Sequence, residues 1–172
     1  MSSLIDDLLT LAKSDEIDDE YVFESFNLSE TALNILPSYS ESTLSRGIRL
    51  QNNIQPNIIF NGNREMIEKL ITILMDNAIK YTKENGEIIL SIAQNGSKIN
   101  MDFYNTADIS EDYDLNNLFN RFYRPDNSRN SSTGGHGIGL SIAKKIVKNH
   151  GGMIIAQKKD NGIFFSTSFR NR

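Results

Sequence analysis

Asn77-Ala78-Ile79-Lys80-Tyr81-Thr82 closes the most strongly periodic stretch of this chain. Upstream of it, Ile67, Ile71, Leu74 and Ala78 recur at three- and four-residue intervals, the spacing of one buried helix face. A helix is therefore expected from Arg64 to about Thr82, with Asn63 as its N-cap and Glu84-Asn85-Gly86 as its end. A neighbouring stripe runs Met66, Leu70, Ile73 and then reaches Asn77. Lys80 and Tyr81 follow at i+3 and i+4, on the same side. A hydrophobic face thus ends in an amide, an ammonium and a phenol. A buried amide costs free energy unless something pairs with it. An amide oxygen is a suitable hard ligand for Mg²⁺, and Lys80 could reach a phosphate. Taken alone, the helix also fits a plainer reading, with Asn77 a satisfied core amide and Lys80 a solvated charge.

A second stretch, Gly134-Gly135-His136-Gly137-Ile138-Gly139-Leu140-Ser141, opens a helix expected over Ile138 to Asn149, with His150-Gly151-Gly152 as its stop. Glycines admit close backbone approach, and a helix start offers unpaired N–H groups and a positive dipole end. That combination favours a polyphosphate. The pattern is not a P-loop, because Leu140 stands where the lysine is required. It is not a dinucleotide fingerprint either, since a polar stretch precedes it in place of a strand. Alone, it also fits a flexible loop and helix start without a ligand.

Working outward, Leu4 to Lys13 has helical spacing and residues 14–20 form an acidic linker. A strand is expected over Tyr21 to Phe26. Ser29 is expected to cap a helix from Glu30 to about Ser45, kinked at Pro37. Ile48–Ile54 and Asn57–Asn61 read as two strands joined by a turn around Pro56. Hairpins follow across Asn95-Gly96 and around Asp160-Asn161-Gly162. Leu115 to Phe122 is a short apolar and aromatic piece, and the polar run from Arg124 to Thr133 is expected to be mobile. The order predicts an α+β fold: a two-layer α/β sandwich with helices on one face of a mixed, largely antiparallel sheet.

Composition narrows the function. The 172 residues are 38% hydrophobic and 23% charged, as in a folded globular chain. The net charge of -4 argues against nucleic acid as the main partner. The absence of cysteine excludes disulfides, thiolate metal sites and cysteine nucleophiles. No apolar run approaches a membrane span and no signal peptide is visible, so the chain is expected to be soluble.

Together the motifs are specific. Asn77-Ala78-Ile79-Lys80-Tyr81-Thr82 resembles the N box of bacterial sensor histidine kinases. Phe119-Asn120-Arg121-Phe122-Tyr123-Arg124 resembles their F box, and Gly135 to Lys144 their second glycine box. Order and spacing match, and the resemblance covers about residues 21–170. It implies the Bergerat-type ATP-binding fold shared with gyrase and mismatch-repair ATPases, and with it ATP and Mg²⁺. It implies Asn77 at the metal, Lys80 at phosphate and Tyr81 at the adenine surface. Asn105, Phe122, Gly135, His136, Gly137, Ile138, Gly139 and Leu140 would complete the nucleotide site. Arg121 and Arg124 would neutralise charge with Lys80, and a lid over about 124–136 would close on the triphosphate. Residues 1–14 look like the end of a dimerisation helix, leaving 21–172 as the catalytic domain. The implied partners are the histidine-bearing dimerisation domain of the same kinase and a response regulator. The implied parent is a membrane-anchored homodimer with this domain in the cytoplasm.

The match departs in places. Asn105-Thr106-Ala107-Asp108-Ile109 stands where the family has an adenine-reading Asp followed by spaced glycines. Ile73, four residues before Asn77, stands where relatives that hydrolyse ATP carry a glutamate base, and an isoleucine accepts no proton. No phosphoacceptor histidine is present. His136 lies in the glycine run, and His150 sits at a helix end, where a partly positive imidazole would suit the dipole. The expected activity is transfer of the ATP γ-phosphoryl group to a histidine outside this chain. The alternatives are a degenerate interaction module and a gyrase-like ATPase.

Overall fold

A computed structural model describes residues 22–109, 114–123 and 137–171. The helix expected at 4–13, the linker at 14–20, Tyr21 and the lid at 124–136 lie outside them. Strand β1 (Glu24–Asn27) leads into α1 (Leu28–Ile35), a 3₁₀ turn (Leu36–Tyr39) and α2 (Ser40–Ser45). Strands β2 (Arg49–Ile54) and β3 (Ile59–Gly62) precede the long helix α3 (Arg64–Tyr81). The hairpin of β4 (Glu87–Asn95) and β5 (Lys98–Thr106) follows, then a second 3₁₀ turn (Leu115–Phe119). Helix α4 (Gly139–Asn149) and the hairpin of β6 (Met153–Lys159) and β7 (Gly162–Arg170) close the described chain.

Five strands form one sheet in the order β2-β4-β5-β7-β6, and β1 pairs with β3 in a separate ribbon. β2 runs parallel to β4, and every other pair is antiparallel, so the sheet is mixed as expected. Strand alternation selects the covered face. Ile88, Leu90, Ile92, Ile99, Met101, Phe103, Ile163, Phe165 and Phe169 all point into one core. The helices meet them with Leu28 and Ala32 from α1, Ile67, Leu70, Ile71 and Leu74 from α3, and Ile142, Ala143, Ile146 and Val147 from α4. Each large aliphatic side chain buried this way contributes about 1.5–3 kcal/mol of transfer free energy. Among the described residues, no helix is long and apolar enough to cross a membrane.

Local signals hold for α3, where the Asn63 side chain accepts from the Met66 N–H at 3.0 Å. They fail for α1. Its cap is Asn27, whose side-chain oxygen accepts from the Glu30 N–H at 3.2 Å. Ser29 is buried instead; its hydroxyl donates to the Gln55 carbonyl at 2.7 Å and accepts from the Ile58 N–H at 3.0 Å. A hydroxyl that satisfies two backbone groups of a distant turn is not available to its own helix. Pro37 divides the segment into three pieces instead of kinking one helix, because the ring excludes the intrahelical bond its N–H would make. β2 and β3 do not pair with each other. Asn57, at φ +58, turns the chain so that β2 joins β4 and β3 joins β1.

Candidate functional site

Helices α3 and α4 lie antiparallel. The Asn63 N–H at the start of α3 donates to His150 Nε2 at the end of α4, at 3.0 Å. At the other end, a Cβ placed on Gly139 would meet Ile73 Cγ2 at 3.5 Å, so the opening of α4 faces the later half of α3. That half carries Asn77, Lys80 and Tyr81. Asn77 and Lys80 are half-buried and Tyr81 is 38% exposed, so none of the three is sealed in the core. The Lys80 ammonium lies 5.1 Å from the Tyr81 ring centroid. The end of α3 is held from outside the helix. The Arg46 guanidinium donates to the carbonyls of Ile79 and Thr82, a cation on the negative end of the helix dipole. Nothing in the sequence marks Arg46 for this role, since its partners are more than thirty residues away.

Asn105 is the last inward-facing residue of β5 and is 1% exposed. Among the described residues its Nδ2 reaches only the Thr106 carbonyl, at 3.5 Å, and its Oδ1 has no hydrogen-bond partner. Among the described residues it is the one buried side-chain polar atom left in that condition. A buried acceptor without a donor is costly, and a donor from a ligand or a water would relieve that cost. The chain next to it lines a cleft of about 530 Å³ at the end of the sheet, walled by Thr106 to Ile109, Lys83 to Gly86 and Asp160 to Gly162. Lys83 pairs with Asp108 across it, tying the end of α3 to the segment after β5.

The two remaining motifs meet. Phe119 is buried against Phe165, edge to face at 6.2 Å. The Phe122 N–H donates to the Gly137 carbonyl at 2.9 Å. Gly137 has φ +70, and a Cβ there would lie 2.9 Å from the Tyr123 carbonyl oxygen, so only glycine fits. Phe122 itself has φ +63 and is 66% exposed, which leaves its ring on the surface. Ile138 is a core side chain, Leu140 packs partly on the core, and Arg121 is exposed. The helix-start N–H groups of Gly139 and its neighbours, not these apolar side chains, are what this end presents to an anion. Arg124, Gly135 and His136 lie outside the described residues.

The partly positive imidazole expected at His150 is corrected. A backbone N–H can only donate, so His150 Nε2 is the acceptor of the Asn63 bond, and Nδ1, 2.8 Å from the Ile146 carbonyl oxygen, carries the proton. The ring is neutral, and burial lowers its pKa. It stacks on Phe23 at 5.0 Å. Gly151 and Gly152 complete the end of α4 by donating to the carbonyls of Lys148 and Val147, a Schellman arrangement with Gly151 at φ +67.

The residues present fit a magnesium purine triphosphate. An orphaned acceptor lies at the end of β5, and an amide and an ammonium share a helix end. The helix start at Gly139 packs beside Ile73 of α3. Among the described residues, no group of three or more His, Asp or Glu could hold a metal by itself. Mg²⁺ bound through phosphates and water needs only one such amide.

The chain was compared with known proteins. A family described as histidine kinase-, DNA gyrase B-, and HSP90-like ATPase matches residues 62–171. The signal transduction histidine-protein kinase BaeS of Escherichia coli (strain K12) is 34% identical over 163 residues, covering 91% of this chain and 33% of that kinase. The sensor protein DltS of Streptococcus agalactiae serotype III is 34% identical over 161 residues, covering 93% of this chain and 40% of that protein. The chain thus spans well under half the length of these relatives. Among solved structures, the catalytic domain of histidine kinase ThkA superposes with a TM-score of 0.77 at 25% identity, covering 87% of this chain and 96% of that one. The family match extends over more than half the chain, from the start of α3 through the last strand, and the chain belongs to the histidine kinase-, DNA gyrase B-, and HSP90-like ATPase family.

Proposed function

We propose that this chain is the ATP-binding catalytic domain of a two-component sensor histidine kinase. In this reading residues 21–172 are the catalytic domain, 124–136 its lid, and 1–14 the end of a dimerisation helix reached through the linker at 15–20. The observation that carries it is the buried, unpartnered Oδ1 of Asn105 at the strand end next to the α3 terminus. In this reading that atom would accept from the exocyclic amine of adenine. Asn77 would offer its amide oxygen to Mg²⁺, and Lys80, Arg121 and Arg124 would balance phosphate charge. The start of α4 would add N–H groups to the anion.

When bound, ATP with Mg²⁺ supplies the γ-phosphoryl group. An acceptor imidazole on another helix attacks phosphorus through its lone-pair nitrogen, the bond to the β-phosphate oxygen breaks, and ADP leaves. The chain's share is positioning and charge, because a neutral imidazole needs no base to attack. A hydrolase reading gains nothing from the geometry: Ile73 is 9% exposed and packs by Gly139, and it cannot activate water. The parent is proposed to be a membrane-anchored homodimer that passes the phosphoryl group on to a response regulator.

The test is calorimetric titration with a non-hydrolysable ATP analogue and Mg²⁺, followed by phosphotransfer from ATP to a supplied histidine-bearing helix hairpin. Binding followed by phosphorylated hairpin is the expected result. Binding with phosphate release and no phosphorylated hairpin would replace the kinase reading with a hydrolase. No binding would leave an interaction module.

A further inference from the structure

The Asn105 amide can do something a carboxylate in its place cannot. Its acceptor and donor sit on one planar group of nearly uniform shape, and a half-turn about its last side-chain bond exchanges them. Among the described residues one hydrogen bond holds the present orientation, the 3.5 Å approach of Nδ2 to the Thr106 carbonyl, at the long limit of such a bond. Its partners across the sheet, Ile88 on β4 and Ile163 on β7, have aliphatic side chains with no polar group to lock either orientation. The residue is 1% exposed, so a base that reaches it meets the amide and little water.

Resting on the nucleotide-binding reading above, we propose that Asn105 lets this site take 6-oxopurine as well as 6-aminopurine triphosphates. With Oδ1 forward, the amide accepts from the adenine 6-amine, and Nδ2 can donate to ring N1. Turned over, Nδ2 donates to guanine O6, and Oδ1 accepts from the N1–H. Both purines find a partner for the buried side chain at the cost of one long contact. An ionised carboxylate only accepts. In the same pose it would oppose guanine O6, acceptor against acceptor.

The experiment is calorimetric titration of the whole chain with non-hydrolysable analogues of ATP and GTP, each with Mg²⁺, on the parent, Asn105→Asp and Asn105→Ala. The parent is expected to bind both analogues with dissociation constants within about tenfold of each other. In Asn105→Asp the preference for the adenine analogue should widen by roughly 10- to 100-fold, the effect of a buried acceptor left facing another. Asn105→Ala keeps the comparison alive if the aspartate variant does not fold, and both affinities should fall by similar factors. A parent that binds the ATP analogue and discriminates against the GTP analogue by more than about 100-fold overturns this proposal and leaves the ATP reading standing. So does an Asn105→Ala chain that loses affinity for the ATP analogue alone. Binding of neither analogue by the parent overturns both readings together.

Discussion

Helices α3 and α4 share two ends, and the ends are built on opposite rules. Where α3 starts and α4 stops, the polar groups close on each other. Asn63 caps α3, its own N–H goes to His150, His150 Nδ1–H goes to Ile146, and Gly151 and Gly152 finish the helix. Phe23, Phe60 and Phe169 surround the imidazole. Where α3 stops and α4 starts, the protein leaves polar groups open. Asn77 and Lys80 are only half-buried, and among the described residues Asn105 Oδ1 has no donor and no side chain caps α4. Polar residues that are satisfied internally stabilise a fold, whereas those left open at a cleft are available to a ligand. The same residue type shows both: Asn63 is satisfied within the fold, whereas among the described residues Asn105 Oδ1 has no donor.

The sharpest way to break this contrast is Asn77→Ala. It should weaken binding of the magnesium ATP analogue by roughly 100-fold, since even outer-shell partners of a metal are worth 10- to 100-fold. The thermal melt should hardly move. A destabilised variant with unchanged affinity would make Asn77 structural and dissolve the comparison.

His150→Ala is the mirror experiment. It strands the Asn63 N–H and empties space among three aromatic rings, and the expected loss is about 2–4 kcal/mol of stability by denaturant unfolding. Nucleotide affinity, measured where the variant is folded, should stay within about threefold. Gly137→Ala sits between the two. The φ of +70 and the close Tyr123 carbonyl predict about 1–3 kcal/mol of destabilisation, seen in the same unfolding curves, together with weaker nucleotide binding.

The smallest effect is the pH response of the satisfied end. Burial holds the His150 pKa below its ordinary value, so the unfolded chain takes up a proton that the native ring resists. The sign follows: this contribution is fully present above about pH 6.5 and is lost as pH falls toward the folded value. The melting temperature at about pH 5.5 should lie below that at about pH 7.5. His150→Gln should flatten that difference. A melt that rises on acidification would mean the imidazole is charged in the fold.

Much of the fold was legible because its causes are local. The stripe Ile67, Ile71, Leu74, Ala78 and the Asn63 cap act within one or two turns, and α3 runs Arg64–Tyr81 with that cap in place. The Asn95-Gly96 turn acts within four residues, and β4 and β5 pair across it with Asn95 opposite Lys98. The first helical segment misled because two caps competed. Ser29 and Asn27 both suit an N-cap, and the choice fell to Gln55 and Ile58, which claim the serine hydroxyl from across the fold. His150 misled for the same reason: the helix dipole favours a cation there, and burial with a backbone donor opposes it more strongly.

The site divides the same way. Residue types and spacing alone singled out Asn77, Lys80, Tyr81 and the glycines before α4, because close phosphate approach and helix-start geometry are written in adjacent residues. Tertiary structure set Gly139 against Ile73, bringing the opening of α4 to α3. It also supplied Arg46 to hold the end of α3, and showed Ile138 to be core and Phe122 surface. Helix periods and turns are set by interactions over a few residues, which a sequence displays directly. Partners such as Arg46 with Ile79, separated by 33 positions, or Asn63 with His150, separated by 87, are set only when the sheet and helices pack, and no local pattern encodes them.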